Sequence, residues 1–232
     1  MKYMFSCAVI TVSIVINMLC GNPILSAGES NVKWLVEPQF DEAWAFHDGF
    51  ARIKQEGLWG YINRDGKIII VPQYEDSWAF CDGLARVKIK DRWGFIDKEG
   101  RIVIKPRFNY VGDFYNGIAQ IENNKKYGYI NRQGVIIVAP ELETANWFYN
   151  DVASVQKDGK WGLVNKNGKF LMKPEYREIE YFHEGLAGFR KDYLWGFVNP
   201  EGKIVIEPKF DLIDIFSEGL CAVNLKSRWF YI

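Results

Sequence analysis

Histidine and cysteine are scarce, with 2 His and 4 Cys in 232 residues. Cys7 and Cys20 fall in an apolar N-terminal stretch, leaving Cys81 and Cys221 at unrelated places in the rest of the chain. No C-x-x-C or H-x-x-x-H spacing occurs, so the usual zinc patterns are missing, and neither a metal nor a cofactor is expected. An excess of either charge is missing too: Lys+Arg 29 balance Asp+Glu 29. A nucleic-acid binder usually carries a basic excess that displaces counterions, so nucleic acid is not an expected partner. There is no G-x-S-x-G elbow, no H-E-x-x-H and no phosphate loop. Gly83, Gly100 and Gly117 are spaced as turn residues, not as a dinucleotide fingerprint. The carboxylate pairs Asp41-Glu42 and Glu75-Asp76 follow a proline and read as solvated surface. No catalytic residue is assigned, and the chain is not expected to be an enzyme.

Aromatic residues, by contrast, are abundant at 16% and sit at fixed intervals. A Trp-Gly pair or a near match falls at Trp59-Gly60, Trp93-Gly94, Tyr127-Gly128, Trp161-Gly162, Trp195-Gly196 and Trp229-Phe230, each 34 residues after the last. Pro38, Pro72, Pro106, Pro140, Pro174 and Pro208 keep the same step. The register gives five full units, with a sixth divided between the two ends of a 32–232 array.

Within one unit, Pro72 to Phe80 reads as a connector or short edge strand, since proline cannot donate to a ladder. Cys81-Asp82-Gly83 is a turn, and Leu84 to Lys90 largely alternates apolar and basic residues, as a half-buried strand does. Asp91-Arg92 reads as a hairpin tip and Trp93-Gly94-Phe95-Ile96 as the next strand. Asp97-Lys98-Glu99-Gly100 fits a type I turn closed by a left-handed glycine. Arg101 to Lys105 is a last strand, and its counterparts, such as Ile68-Ile69-Ile70-Val71, are continuously apolar, which predicts cover on both faces. The glycine of each Trp-Gly pair is expected to make room for an aromatic of the next unit, Phe80 or Phe114. The fold class is therefore all-β: tandem 34-residue antiparallel meanders in a propeller-like closed ring or a curved open stack. Familiar blades run to about 40 residues or more, so both arrangements stay open.

Residues 1–27 begin with one Lys, continue as an uncharged apolar run from Tyr3 to Cys20, and end on Leu25-Ser26-Ala27. That pattern predicts a signal peptide or, uncleaved, an N-terminal anchor, and hence a secreted or extracytoplasmic protein with membrane contact only through this segment.

The units resemble the bacterial WG-repeat (KWG) family. The likeness is carried by Lys160-Trp161-Gly162-Leu163-Val164-Asn165, Arg92-Trp93-Gly94-Phe95-Ile96-Asp97, the turn glycines Gly100 and Gly168, Pro106-Arg107-Phe108, and Phe182-His183-Glu184-Gly185-Leu186-Ala187. The resemblance implies binding or scaffolding in the envelope and supplies no catalytic residues. Tyr127, Leu142, Asn150-Asp151 and Phe230 depart from it.

A repeat protein reveals a site where it breaks its own pattern. The column His47, Cys81, Tyr115, Tyr149, His183 and Ser217 varies most, holds both histidines, and is the candidate binding edge. The repeated Trp59, Trp93, Tyr127, Trp161, Trp195 and Trp229, with Gly60, Gly94, Gly128, Gly162 and Gly196, read as structural. The expected function is an exported, non-enzymatic binding or scaffold protein for a protein or envelope partner. The alternative is a carbohydrate-binding module that uses exposed Trp44, Trp78, Trp147 or Tyr181 as stacking platforms.

Overall fold

A computed structural model describes residues 36, 37 and 39–232. The expected signal or anchor over 1–27 and the start of the 32–232 array lie outside the described residues. The described residues form only strands and turns, in six small antiparallel sheets, one per repeat. In the first sheet, β1 (Glu42–Ala43), β2 (Phe50–Gln55), β3 (Leu58–Asn63) and β4 (Ile68–Tyr74) pair in simple chain order. The next four sheets, over 76–108, 110–142, 144–176 and 178–210, repeat that order, and the sixth, over 212–231, has three strands. Among the described residues no strand pairing joins the sixth sheet to the first of this propeller-like array.

Each strand has a local cause. The hairpin tip of the second sheet is Lys90–Asp91, one residue earlier than the charge pattern suggests, because both residues take positive φ, 49° and 58°. Glu75 holds that tip: its carboxylate accepts from Lys90 N at 2.7 Å and Asp91 N at 3.0 Å. Asp41, Glu143 and Asp211 hold the amides of Gly57, Gly159 and Lys226 in the same way. The carboxylate after the proline is therefore a tip-binding group and not idle surface. At the following turn, Asp97 Oδ1 accepts from Glu99 N at 3.1 Å and Arg101 N at 2.9 Å, an Asx turn closed by Gly100 at φ 79°.

Two expectations for the last strand of each unit need correction. It does not stop at proline: β4 runs through Pro72 to Tyr74, with register shifts on either side of Tyr61 that mark a bulge. Gly60 faces that bulge. A methyl group there would lie 2.5 Å from Ile70 O and 2.6 Å from Pro72 N, so the glycine admits its own sheet's backbone and not an aromatic of the next unit. Nor is β4 covered on both faces. Ile70 and Tyr74 are buried, while Ile69 and Val71 are exposed, because β4 is an edge strand.

The core is divided among the spaces between sheets. Trp59, Tyr61, Ile70 and Tyr74 of the first sheet meet Phe80, Ala85, Val87 and Ile96 of the second. The same columns meet in the next four spaces, for example Trp93, Phe95, Ile104 and Phe108 against Phe114, Ala119, Ile121 and Ile130. Each buried aromatic removes enough apolar area to contribute roughly 1.5–3 kcal/mol. Hydrogen bonds staple the same joints: Gly83 N donates to Asp48, Gly117 N to Asp82 and Gly219 N to Glu184.

Candidate functional site

The expected binding column does not form one edge. Backbone bonds pair His47 with Phe50, Cys81 with Leu84 and so on through Ser217, which fixes the turns. The side chains then diverge. Cys81 is buried, Tyr115 is exposed, and Tyr149 stacks on Phe182 with ring centroids 5.5 Å apart. His47 lines a small crevice between the first two sheets, and His183 lines an open groove between the fourth and fifth. Cys221 is a free, buried residue of the last core. Among the described residues no group of three His, Cys, Asp or Glu side chains converges to hold a metal.

The crevices between sheets differ in a way that a different column controls. Counting from Arg52 in steps of one repeat, it reads Arg52, Arg86, Gln120, Ser154, Gly188 and Ala222. These residues lie on the strand that β2 represents, and the first three reach towards the short first strand of the following sheet.

In the first crevice the Arg52 guanidinium lies 4.4 Å from the Trp44 ring centroid, 4.7 Å from Trp59 and 5.3 Å from Trp78, and it donates to the Ser77 carbonyl. In the second, Arg86 lies 4.1 Å over Trp78, 5.9 Å from Trp93 and 5.6 Å from Tyr110. It donates to Val111 O at 2.6 Å and pairs with Asp113 through Nε at 3.0 Å. Burial raises the Asp113 carboxyl above its ordinary range, against the pull of Arg86, Arg52 and His47. Both crevices are filled.

In the third, Gln120 still reaches the Ala145 carbonyl but leaves a groove of about 590 Å³ beside Tyr110, Glu122, Tyr127 and Glu143. In the fourth, Ser154 does not cross at all. Its hydroxyl accepts from Asn146 Nδ2 at 2.8 Å, and a groove of about 640 Å³ opens. Thr144 lines both grooves, so they adjoin. In the fifth, Gly188 is covered by the Ile213 side chain and the space is closed again.

The open stretch is lined by aromatic and acidic groups. Tyr181, in the groove, is 67% exposed, whereas Trp147, 50% exposed, lines a separate small crevice with Tyr115, Gln120 and Phe148. Glu180 is half-buried in the groove; burial, then Glu178 and Asp214, raise its carboxyl above the ordinary range. Trp44 and Trp78, which were expected as exposed platforms, are instead occupied by the protein's own arginines. Sequence reasoning missed the shrinking column, although it could be read by lining up every thirty-fourth residue.

The family model for the WG-containing repeat matches six consecutive segments, 31–59, 59–93, 93–127, 127–161, 161–195 and 195–229. The chain belongs to the WG-repeat family. No curated protein matches. Among solved structures, the WG-repeat chain is similar to Hsv2 of Kluyveromyces lactis at 11% identity and a TM-score of 0.42, over 80% of this chain and 76% of that one. It is similar to PorZ, described as a surface component of the type-IX secretion system of Porphyromonas gingivalis, at 11% identity and a TM-score of 0.37, over 84% of this chain and 31% of that one. The WD40 β-propeller domain of Doa1 is similar at 11% identity and a TM-score of 0.30, over 81% and 76%. Likenesses at this level carry no functional argument.

Proposed function

We propose that this WG-repeat chain is an exported, non-enzymatic binding protein, and that the grooves between its third, fourth and fifth sheets receive an extended segment of a protein partner in the envelope. Export rests on the Lys2, apolar-run and Leu25-Ser26-Ala27 pattern at the N-terminus. Binding rests on one observation: the repeat leaves two adjoining crevices open, of about 590 and 640 Å³, where it fills the two before them with arginine. Clefts of that size with a few polar groups and aromatic walls are the common form of a recognition site.

A photo-cross-linking residue at Tyr181 tests this reading in the native host, with the same residue at Val71 on the opposite edge as control. A discrete partner band from Tyr181 alone is expected. Equal labelling, or none, would count against the groove.

The carbohydrate reading keeps some support from Tyr181, whose ring is exposed at the groove, and from Trp147, which is half exposed with its ring edge against Gly112. A glycan panel probed with the wild-type chain and a Tyr181→Ala, Trp147→Ala variant decides it. Sugar binding lost in the variant would favour that class.

A further inference from the structure

The groove in the fourth crevice is the space that an arginine fills two repeats earlier. Around Arg86 stand Trp78, Trp93, Tyr110, the Val111 carbonyl and Asp113. Two repeats on, the same places are taken by Asn146, Trp161, Glu178, Ile179 and Tyr181. All five line the groove of about 640 Å³. The arginine itself has become Ser154, whose hydroxyl turns to Asn146 instead.

What the crevice offers is therefore already known from within the molecule. In the first three crevices the residue at this place donates to the carbonyl of the next sheet's first strand: Arg52 to Ser77, Arg86 to Val111, Gln120 to Ala145. In the fourth, no side chain among the described residues donates to the equivalent Ile179 carbonyl. The indole wall is kept in Trp161. A cation over such a face is attracted by about 0.5–2 kcal/mol, more as water is excluded. The charge has also changed to suit a cation from outside. Glu178 replaces Tyr110 and Glu180 replaces Gly112, and among the described residues the Glu180 side chain makes no hydrogen bond or ion pair. Two of the chain's own cations stand close: Arg177 lines the groove, and Arg190 forms a long ion pair with Glu178. Arg177 lies 4.7 Å over the Tyr193 ring, and Arg190 approaches Glu178 only to 3.9 Å while facing Trp195.

We infer that the fourth crevice is a socket for a guanidinium group presented by an arginine of the partner segment, held by the Ile179 carbonyl, the Trp161 face and the Glu178 and Glu180 carboxylates as Arg86 is held by its own sheet pair. This rests on the groove reading above and names the chemistry of its occupant. A planar five-donor head suits a carbonyl, a carboxylate and a ring face at once, which a lysine ammonium does not.

The probe is N-acetylarginine amide, titrated into the full chain and followed through the Trp161 indole and Ile179 NMR signals. It is expected to shift them saturably. The citrulline amide, equal in shape but uncharged, is expected to bind about tenfold more weakly or worse, the scale of one charge-assisted contact. Glu178→Gln should weaken the arginine amide by a similar factor. Ser154→Arg should abolish binding, because it restores an internal guanidinium, and should raise the melting temperature. If Ser154→Arg fails to fold, Ser154→Gln rebuilds the Gln120 arrangement and serves the same purpose. Equal binding of the two amides, or arginine binding unchanged in both Ser154 variants, overturns the inference. Cross-linking from Tyr181 in the same variants separates the two levels. Partner labelling lost while the arginine amide never bound would leave the groove and remove the guanidinium. Labelling unchanged would remove the groove as well.

Discussion

Gly94 has no space for a methyl group: a Cβ there would lie 2.6 Å from Pro106 N. Both atoms belong to one sheet, so the clash cannot be relieved by moving a side chain. Gly94→Ala is expected to cost about 2–3 kcal/mol, the scale of overpacking against fixed backbone, as read from urea unfolding. Arg86 is 5% exposed and carries a cation into the second crevice. Arg86→Ala would leave Asp113 buried without its partner and open a void between Trp78 and Trp93. A loss of about 3 kcal/mol is expected, and a larger loss for Arg86→Ala than for Asp113→Asn would identify the stacked guanidinium as the main contributor. Glu180 gives a pH prediction. Its folded carboxyl holds a proton more tightly than the ordinary value of 4.5, so the fold bears a cost above the folded pKa that vanishes as pH falls below 4.5. Glu180→Gln should therefore raise the melting temperature near neutral pH and leave it unchanged in acid.

At the scale of the element, one carboxylate or amide fixes each turn. Asp97→Ala removes two backbone-amide contacts and the Arg101 ion pair at a partly exposed site, and about 1 kcal/mol of local stability should go with them. Faster hydrogen exchange at the Glu99 and Arg101 amides, with the amides of β2 and β3 unchanged, is the expected signature. Most of the element order was legible in advance, because a 34-residue period repeated six times fixes turns and strands by comparison alone. Two features were not. Proline reads as a strand end because it lacks a donor, yet at a bulge no donor is needed, and β4 continues through Pro72. The apolar run Ile68-Ile69-Ile70-Val71 reads as doubly covered, but Ile69 and Val71 face outward. The candidate site was less legible still. Variation at His47, Cys81, Tyr149 and His183 was plain, whereas which crevice each side chain enters depends on backbone direction at the turn. The column from Arg52 to Ala222 carried the real difference in side-chain length, and it stayed inconspicuous because its members differ in charge, size and polarity at once.

Across the whole molecule, the five cores between sheets each belong to two neighbouring sheets, and a small sixth, Ala51, Ile53 and Ile62, belongs to the first sheet. Stability in such an array is close to a sum of sheet terms and joint terms. Phe114 is 3% exposed and joins the second and third sheets against Phe95, with ring centroids 4.7 Å apart. Phe114→Ala should cost about 3–5 kcal/mol. Exchange protection should fall first in residues 85–96 and 118–131, and later in the first and fifth sheets. A uniform loss of protection would mean that the array unfolds as one unit.

The proline bulge has a consequence for the protein in a crowded compartment. Each of the first five sheets presents a long edge strand, with outward apolar residues such as Val71 at 62% and Val205 at 51% exposure. A row of such edges is a template for strand addition by another chain. Proline in the middle of each, at 72, 106, 140, 174 and 208, withholds one donor at the bulge, between exposed neighbours. The same residue that makes room for the glycine opposite thus keeps these edges from seeding aggregates. Replacing Pro72 and Pro106 with alanine should leave the fold in place while raising light scattering on storage.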